Sequence, residues 1–177
     1  KELRTKYKVP FIGIEPAIKP AALQSKTHTI GILATKGTLN SELFHQSVSN
    51  HPDVRIIEQI GHGLVQLIEN GDIDSPEMLE LLKSYLIPMV EKNIDYLVLG
   101  CSHYPYLIPQ IKKIIPASIK IIDSGEAVAK QTQKVLEQHQ LLNISNEKSV
   151  QLFYTNSEPH VLENILNNQE KVVYKQF

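Results

Sequence analysis

The sequence predicts an α/β fold with a mainly parallel sheet flanked by helices, on two observations. Short β-branched runs alternate with longer amphipathic stretches, and the runs are apolar enough to be covered on both faces, as strands of a parallel sheet are. The runs that read as strands are Phe11 to Ile14, Thr29 to Ala34, Val54 to Ile57, Tyr96 to Gly100, Ile119 to Ile122 and Val150 to Tyr154. Between them Thr38 to Asn50, His62 to Glu69, Pro76 to Lys92, Pro105 to Ile115 and Gly125 to Gln140 read as helices. In the longest of these, Leu79, Leu82, Leu86 and Met89 form an apolar stripe at helical spacing. Ser75-Pro76-Glu77 starts it, with Ser as N-cap and Pro at the first helical position. Glu15 to Ser25, with Pro16 and Pro20 around an Ala-rich turn, and the polar stretch Leu142 to Lys148 read as connectors.

Composition narrows the function classes. Of 177 residues, 42% are hydrophobic and 21% charged, which is globular rather than disordered. Lys and Arg total 18 against 19 Asp and Glu, so no basic excess is available for phosphates or an anionic membrane, and no nucleic-acid partner is expected. The single cysteine, Cys101, excludes an internal disulfide framework and a Cys-rich zinc site and suits a reducing, cytoplasmic setting. No apolar stretch approaches the roughly 20 residues that cross a bilayer, so no membrane partner is expected. His28, His45, His51, His139 and His160 are scattered without metal-ligand spacing, and no metal is expected. The chain starts at Lys1 and soon enters the apolar Val9 to Ile14, which reads as a piece of something longer.

The most informative stretch runs from Asp95 to Pro105, an apolar strand leading straight into Cys101, Ser102 and His103 and then a helix start. In open α/β sheets, ligands collect beyond the carboxyl ends of strands, where helix N-termini point their N–H groups. A free thiol ionises near pH 8.5, and a helix N-terminus or a neighbouring cation favours its thiolate. His103 could supply that charge or relay a proton. The same residues also fit a buried cysteine serving as a small hydrophobe beside a satisfied loop histidine, and the local sequence favours neither. Ala34-Thr35-Lys36-Gly37-Thr38 is a second strand-end turn with two hydroxyls that could cradle an anion, but by itself it fits better a plain capped turn with Thr38 near the N-cap. By its position alone, Glu69 is a solvated helix-end carboxylate.

These motifs together resemble the glutamate racemases of the aspartate/glutamate racemase superfamily. The resemblance rests on Gly13-Ile14-Glu15-Pro16-Ala17, Ala34-Thr35-Lys36-Gly37-Thr38, Leu97-Val98-Leu99-Gly100-Cys101-Ser102-His103-Tyr104-Pro105 and Ile122-Asp123-Ser124-Gly125. It extends from about Val9 to Leu141 and more faintly to the end. It implies cofactor-independent racemisation of L- and D-glutamate, supplying D-glutamate for peptidoglycan, by two cysteines on opposite faces of the substrate α-carbon. By this similarity Cys101 is one of the two, His103 assists it, and Glu69 supports the histidine. Thr35, Thr38 and Ser102 match positions that hold the amino acid's polar groups.

The departures are specific. The family usually has Thr at Ser102, and its cysteine–proline pair ahead of the helix leading to Glu69 is Gly61-His62 here. Its N-terminal segment, with an Asp-Ser-Gly turn and the first catalytic cysteine, has no counterpart, and Asp123-Ser124-Gly125 reads instead as a capped strand-to-helix turn. The resemblance therefore implies the C-terminal part of a two-lobed racemase. Residues 1–19 would end the first lobe and cross over, 20–117 would form the second lobe carrying Cys101, and 118–177 would return to the first. Its partners would be glutamate and the missing N-terminal segment of the same protein, and a homodimer is allowed. Alone, the chain would be inactive, with sheet edges and apolar surface uncovered. An aspartate or other amino-acid racemase, and a non-catalytic α/β ligand-binding domain, are the rival expectations.

Overall fold

The computed structural model describes residues 2–143, 145, 150–166 and 168–177. A short helix α1 (Glu2–Lys6) and an irregular segment precede α2 (Ile18–Gln24), β1 (Thr29–Ala34), α3 (Lys36–Leu39) and α4 (Glu42–Ser49). Then follow β2 (Arg55–Ile60), α5 (Leu64–Glu69), α6 (Pro76–Val90) and β3 (Tyr96–Gly100). A 3-10 turn (Tyr104–Leu107) leads into α7 (Ile108–Ile111), β4 (Lys120–Ile122) and α8 (Gly125–Gln138). The chain ends with β5 (Phe153–Thr155), α9 (Pro159–Ile165) and β6 (Val172–Tyr174).

Four strands form one parallel sheet in the order β2-β1-β3-β4, with Ile30 beside Tyr96 and Ala34 beside Gly100. Every residue of the two central strands is buried, which is why their sequences run apolar without alternation. Successive side chains still point to opposite faces. Ile30, Ile32, Ala34, Tyr96 and Val98 pack with α2 and α4 through Ile18, Ala21 and Phe44. Leu33, Leu97 and Leu99 pack on the other face with α5, α6 and the 3-10 turn through Leu64, Ile68, Leu82, Leu86 and Tyr104. The result is a helix–sheet–helix sandwich whose strand ends all open on one edge.

At the opposite edge, Asp95 ties the entry of β3 to the entry of β1. Its carboxylate accepts from the Ser25 hydroxyl at 2.6 Å and from the Lys26 and Thr27 N–H groups at 2.6 and 3.2 Å. Desolvation by burial pulls its proton affinity up, but the hydrogen bonds from Ser25, Lys26 and Thr27 outweigh it and hold the carboxyl below its ordinary value.

Several predicted elements differ from those observed. Phe11 to Ile14 is no strand: it has no neighbouring strand for its backbone, and the Phe11 carbonyl accepts instead from Arg4. The single helix expected over Thr38 to Asn50 breaks at Asn40, because the Ser41 hydroxyl donates to the Thr38 carbonyl and accepts from Phe44 N–H, starting a new helix. The helix expected from Pro105 to Ile115 becomes the 3-10 turn and α7, since Pro109 would clash with the carbonyl of residue 105 in a continuous helix. In α6 the capping hydroxyl of Ser75 is as expected, but Met78 rather than Leu79 completes the buried stripe. The connector from Glu15 to Ser25 contains α2, with Pro20 tolerated in its first turn. The strand expected over Val150 to Tyr154 is Phe153–Thr155, paired in parallel with β6, which was not expected. Residues 144 and 146–148 of the connector Leu142 to Lys148 lie outside the described residues.

The last third is the least covered part. No residue of α8 is buried, and its stripe Val128, Thr132, Val135 and Leu136 stands half open. The β5–β6 pair is a separate two-stranded sheet, and Val150, Leu152, Tyr154, Val173 and Phe177 are exposed. Among the described residues no helix is long and apolar enough to cross a membrane.

Replacing Asp95 by Asn is expected to lower stability by about 1–2 kcal/mol near neutral pH, the scale of hydrogen bonds to a charged group. A folded-state pKa below the unfolded value of 3.8 means that the stabilisation is complete above that value and is lost as pH falls through the lower, folded one. Urea titrations of both proteins at several pH values are expected to show a gap that closes in strong acid.

Candidate active site

Cys101 is the first residue beyond β3, and its position follows from how close β1 and β3 approach. A Cβ on Gly100 would sit 2.7 Å from that of Ala34, so the pair must stay small for the strands to end level. The carboxyl ends of β1 and β3, the segment Ile14 to Pro16 and the turn before α8 surround an open cavity of about 630 Å³. Thr35, Thr38, Cys101 and Ser102 all line it.

The thiol faces a histidine backed by a carboxylate. Cys101 Sγ lies 3.8 Å from His103 Nδ1, and His103 Nε2 lies 3.1 Å from Glu69 Oε1. An ionised carboxylate only accepts, so Nε2 carries a proton toward Glu69, and Nδ1 of the neutral ring is then free to take the proton of the thiol. His103 and Glu69 stand behind Cys101 and are not part of the cavity wall. The side chains of His103 and Glu69 are 35% and 61% exposed, so this is a solvent-screened pair that orients the ring more than it stabilises the fold.

Thr35 and Thr38 also act on each other. Thr35, not Thr38, is the N-cap of α3: its Oγ1 accepts from Thr38 N–H and lies 3.0 Å from Thr38 Oγ1. The two hydroxyls are thereby fixed side by side at the cavity wall.

The wall holds residues that sequence reasoning did not place there. Ser41 lines it from the start of α4, and Glu15 and Asp123 bring carboxylates. Asp123-Ser124-Gly125 is a wall as well as a turn: Asp123 Oδ1 accepts from Gly125 N–H, and the Ser124 hydroxyl donates to the Glu15 carbonyl, joining the two segments. A pattern of small and hydroxyl residues beyond a strand was the available signal for these positions. Among the described lining residues there is no Lys or Arg, so anionic groups here would be held by hydroxyls and backbone N–H groups. Glu15 and Asp123 would suit an ammonium. Among the described residues no cluster of His, Cys, Asp and Glu could hold a metal ion.

The helix dipole contributes less at Cys101 than the sequence suggested. A 3-10 turn follows it instead of a long helix, and few peptide dipoles are aligned toward the thiol. The His103 ring is the nearer polar group.

The family pattern described as Asp/Glu/Hydantoin racemase matches residues 1–132. The chain belongs to this family. It is 45% identical over 143 residues to the glutamate racemase of Ectopseudomonas mendocina, a match covering 80% of this chain and 54% of that protein. With the glutamate racemase of Pseudomonas entomophila it shares 42% identity over 158 residues, covering 89% of this chain and 59% of the relative. The chain thus spans little more than half the length of these relatives. Among solved structures, Escherichia coli glutamate racemase in complex with L-glutamate and the activator UDP-MurNAc-Ala superposes with a TM-score of 0.81 at 27% identity, covering 98% of this chain and 67% of that one. Francisella tularensis glutamate racemase in complex with D-glutamate gives 0.70 at 26% identity, covering 90% and 62%. The α/β fold with a parallel sheet flanked by helices is the one this racemase family has.

Glu69→Gln keeps an acceptor near His103 but removes its charge. Alkylation of Cys101 at pH 7, followed by mass spectrometry, is expected to slow by at most about fivefold, because an exposed pair of this kind is worth about 0.2–1 kcal/mol. Glu77→Gln on α6 is expected to leave the rate unchanged.

Proposed function

We propose that this chain is the part of a cofactor-independent glutamate racemase that carries one of its two acid–base cysteines. The observation that carries the reading is Cys101 itself: a thiol in the wall of the cavity, 3.8 Å from a histidine ring whose other nitrogen faces Glu69. The relatives that the chain matches are named glutamate racemases, and two of the solved ones hold L- or D-glutamate.

Inverting a stereocentre through a planar carbanion needs a base on one face and an acid on the other. In one direction the Cys101 thiolate takes the α-proton. An S–H bond forms, and the C–H electron pair stays on the α-carbon, conjugated with the adjacent carboxylate. A second group on the opposite face returns a proton there. In the other direction the Cys101 thiol gives its proton and is left as thiolate. His103 stands beside the sulfur to relay its proton and Glu69 holds the ring, while Thr35, Thr38 and Ser102 hold the polar groups of glutamate. D-glutamate made in this way would supply peptidoglycan.

The opposite-face group lies outside these 177 residues, since the chain has one cysteine. In this reading residues 20–117 are the lobe that carries Cys101, and residues 1–19 and 118–177 belong with an N-terminal segment that completes the other lobe. The uncovered stripe of α8 and the isolated β5–β6 pair support the assignment, as apolar faces of a sheet and helix that lack a covering layer.

The test is to join the N-terminal segment of a curated relative to this chain and follow the optical rotation of L- and D-glutamate. Racemisation from both directions is expected, falling by roughly 10²–10⁴ in Cys101→Ala, the scale of a lost acid–base group. A folded fusion that binds glutamate but racemises neither enantiomer would contradict the reading.

A further inference from the structure

Tyr104 directly follows His103, and its ring is completely buried in the core on the α6 side of the sheet. Its hydroxyl donates to the Gly61 carbonyl at 3.1 Å. Gly61 ends the sheet ladder by donating its N–H to the Ala34 carbonyl at 2.9 Å, and the chain then turns into α5, whose last residue is Glu69. The Tyr104 N–H donates to the Cys101 carbonyl at 3.2 Å, closing the turn that holds Cys101, Ser102 and His103. Besides the His103–Glu69 pair itself, this buried hydrogen bond therefore joins the two segments that carry those residues.

Position 61 is shaped around that bond. A Cβ on Gly61 would lie 2.4 Å from the Tyr104 hydroxyl and 2.7 Å from Leu64 Cδ1, so a side chain there requires the tyrosine and the leucine to shift. Burial, then the neighbouring charges of Cys101 and Tyr85, push the Tyr104 phenol up, which keeps it protonated and a donor. The next carbonyl, that of His62, accepts from the Tyr85 hydroxyl at 3.0 Å, so the turn into α5 is held at two successive points.

We propose that Tyr104 is a positioning residue for the line Cys101–His103–Glu69, its hydroxyl fixing the thiol-bearing turn against the segment that presents Glu69. The proposal rests on the reading of Cys101, His103 and Glu69 as a working unit. The hydroxyl touches no reacting atom. It acts through where it holds the Gly61 carbonyl, in the way a buried polar contact specifies one arrangement among several that apolar packing alone would permit. Without it, the ring still fills its place in the core, but the two segments lose their common reference.

The test uses the single thiol of the chain as the reporter. Alkylation of Cys101 by iodoacetamide at pH 7 is measured in the parent chain, in Glu69→Gln, in Tyr104→Phe and in the double variant, with thermal melts confirming that each is folded. In the parent background Glu69→Gln is expected to slow the reaction by up to about fivefold, and in the Tyr104→Phe background by less than about 1.5-fold, because coupled groups are not additive. Gly61→Ala, which crowds the same contact from the other side, is expected to blunt the Glu69→Gln effect in the same way and stands in should Tyr104→Phe fail to fold. A merely structural tyrosine would lower the melting temperature and leave the Glu69→Gln ratio untouched, and that result overturns the proposal. A Glu69→Gln ratio of one in the parent chain overturns it differently, by removing the unit on which it rests.

Discussion

The cavity depends on one constraint: β3 must lie between β1 and β4 with both faces buried and end level with β1. Five consecutive buried residues and ladders on both sides leave this strand no freedom to slip, since a shift of one residue would turn every side chain to the opposite face. Gly100 and Ala34 let the two strands end in close contact, and Cys101 leaves the sheet at the edge where β1 delivers Thr35. Asp95 holds the opposite end of the same two strands in register through Ser25, Lys26 and Thr27. The polar residues of the cavity thus stand on loops, and the strands beneath fix where those loops begin.

Order falls away with distance from that centre. The two cores on either side of the sheet contain the largest fully buried side chains, from Tyr104 and Phe44 to Leu82 and Leu86. By contrast α8, β5 and β6 have half of a packing arrangement: an amphipathic helix without a partner face and a parallel βαβ unit without a sheet to join. The cavity wall draws on both regions, because Asp123 and Ser124 enter it from the start of α8 and Ser124 holds the Glu15 carbonyl. Anything that settles α8 would therefore also settle one side of the cavity.

What the sequence revealed follows the same gradient. β1 and β3 were legible to the residue because burial on both faces writes an uninterrupted apolar run. β2 is an edge strand carrying Arg55, Glu58 and Gln59, and its last three residues looked like loop. Phe11 to Ile14 shows the reverse error: an apolar run predicts a strand, but a ladder needs a neighbour, and the described chain offers none. Cys101 and His103 were visible as neighbours at a strand end, whereas Glu69, 34 residues away from His103, was tied to them only by family resemblance. The Tyr104–Gly61 contact and the Asp95 clamp join residues 43 and 70 apart, and no local pattern announces either. The first bears on a local feature, for a Cβ at Gly61 would lie 2.4 Å from the tyrosine hydroxyl.

The central claim is that Cys101 exchanges a proton with the α-carbon of glutamate from one face only. The most direct measurement is deuterium incorporation at that carbon, by NMR in D₂O, with L- and D-glutamate supplied separately to the 177-residue chain and to Cys101→Ala. The account predicts incorporation into one enantiomer without inversion, lost in Cys101→Ala. Incorporation that persists in Cys101→Ala, or none in either enantiomer while glutamate occupies the cavity, would contradict it.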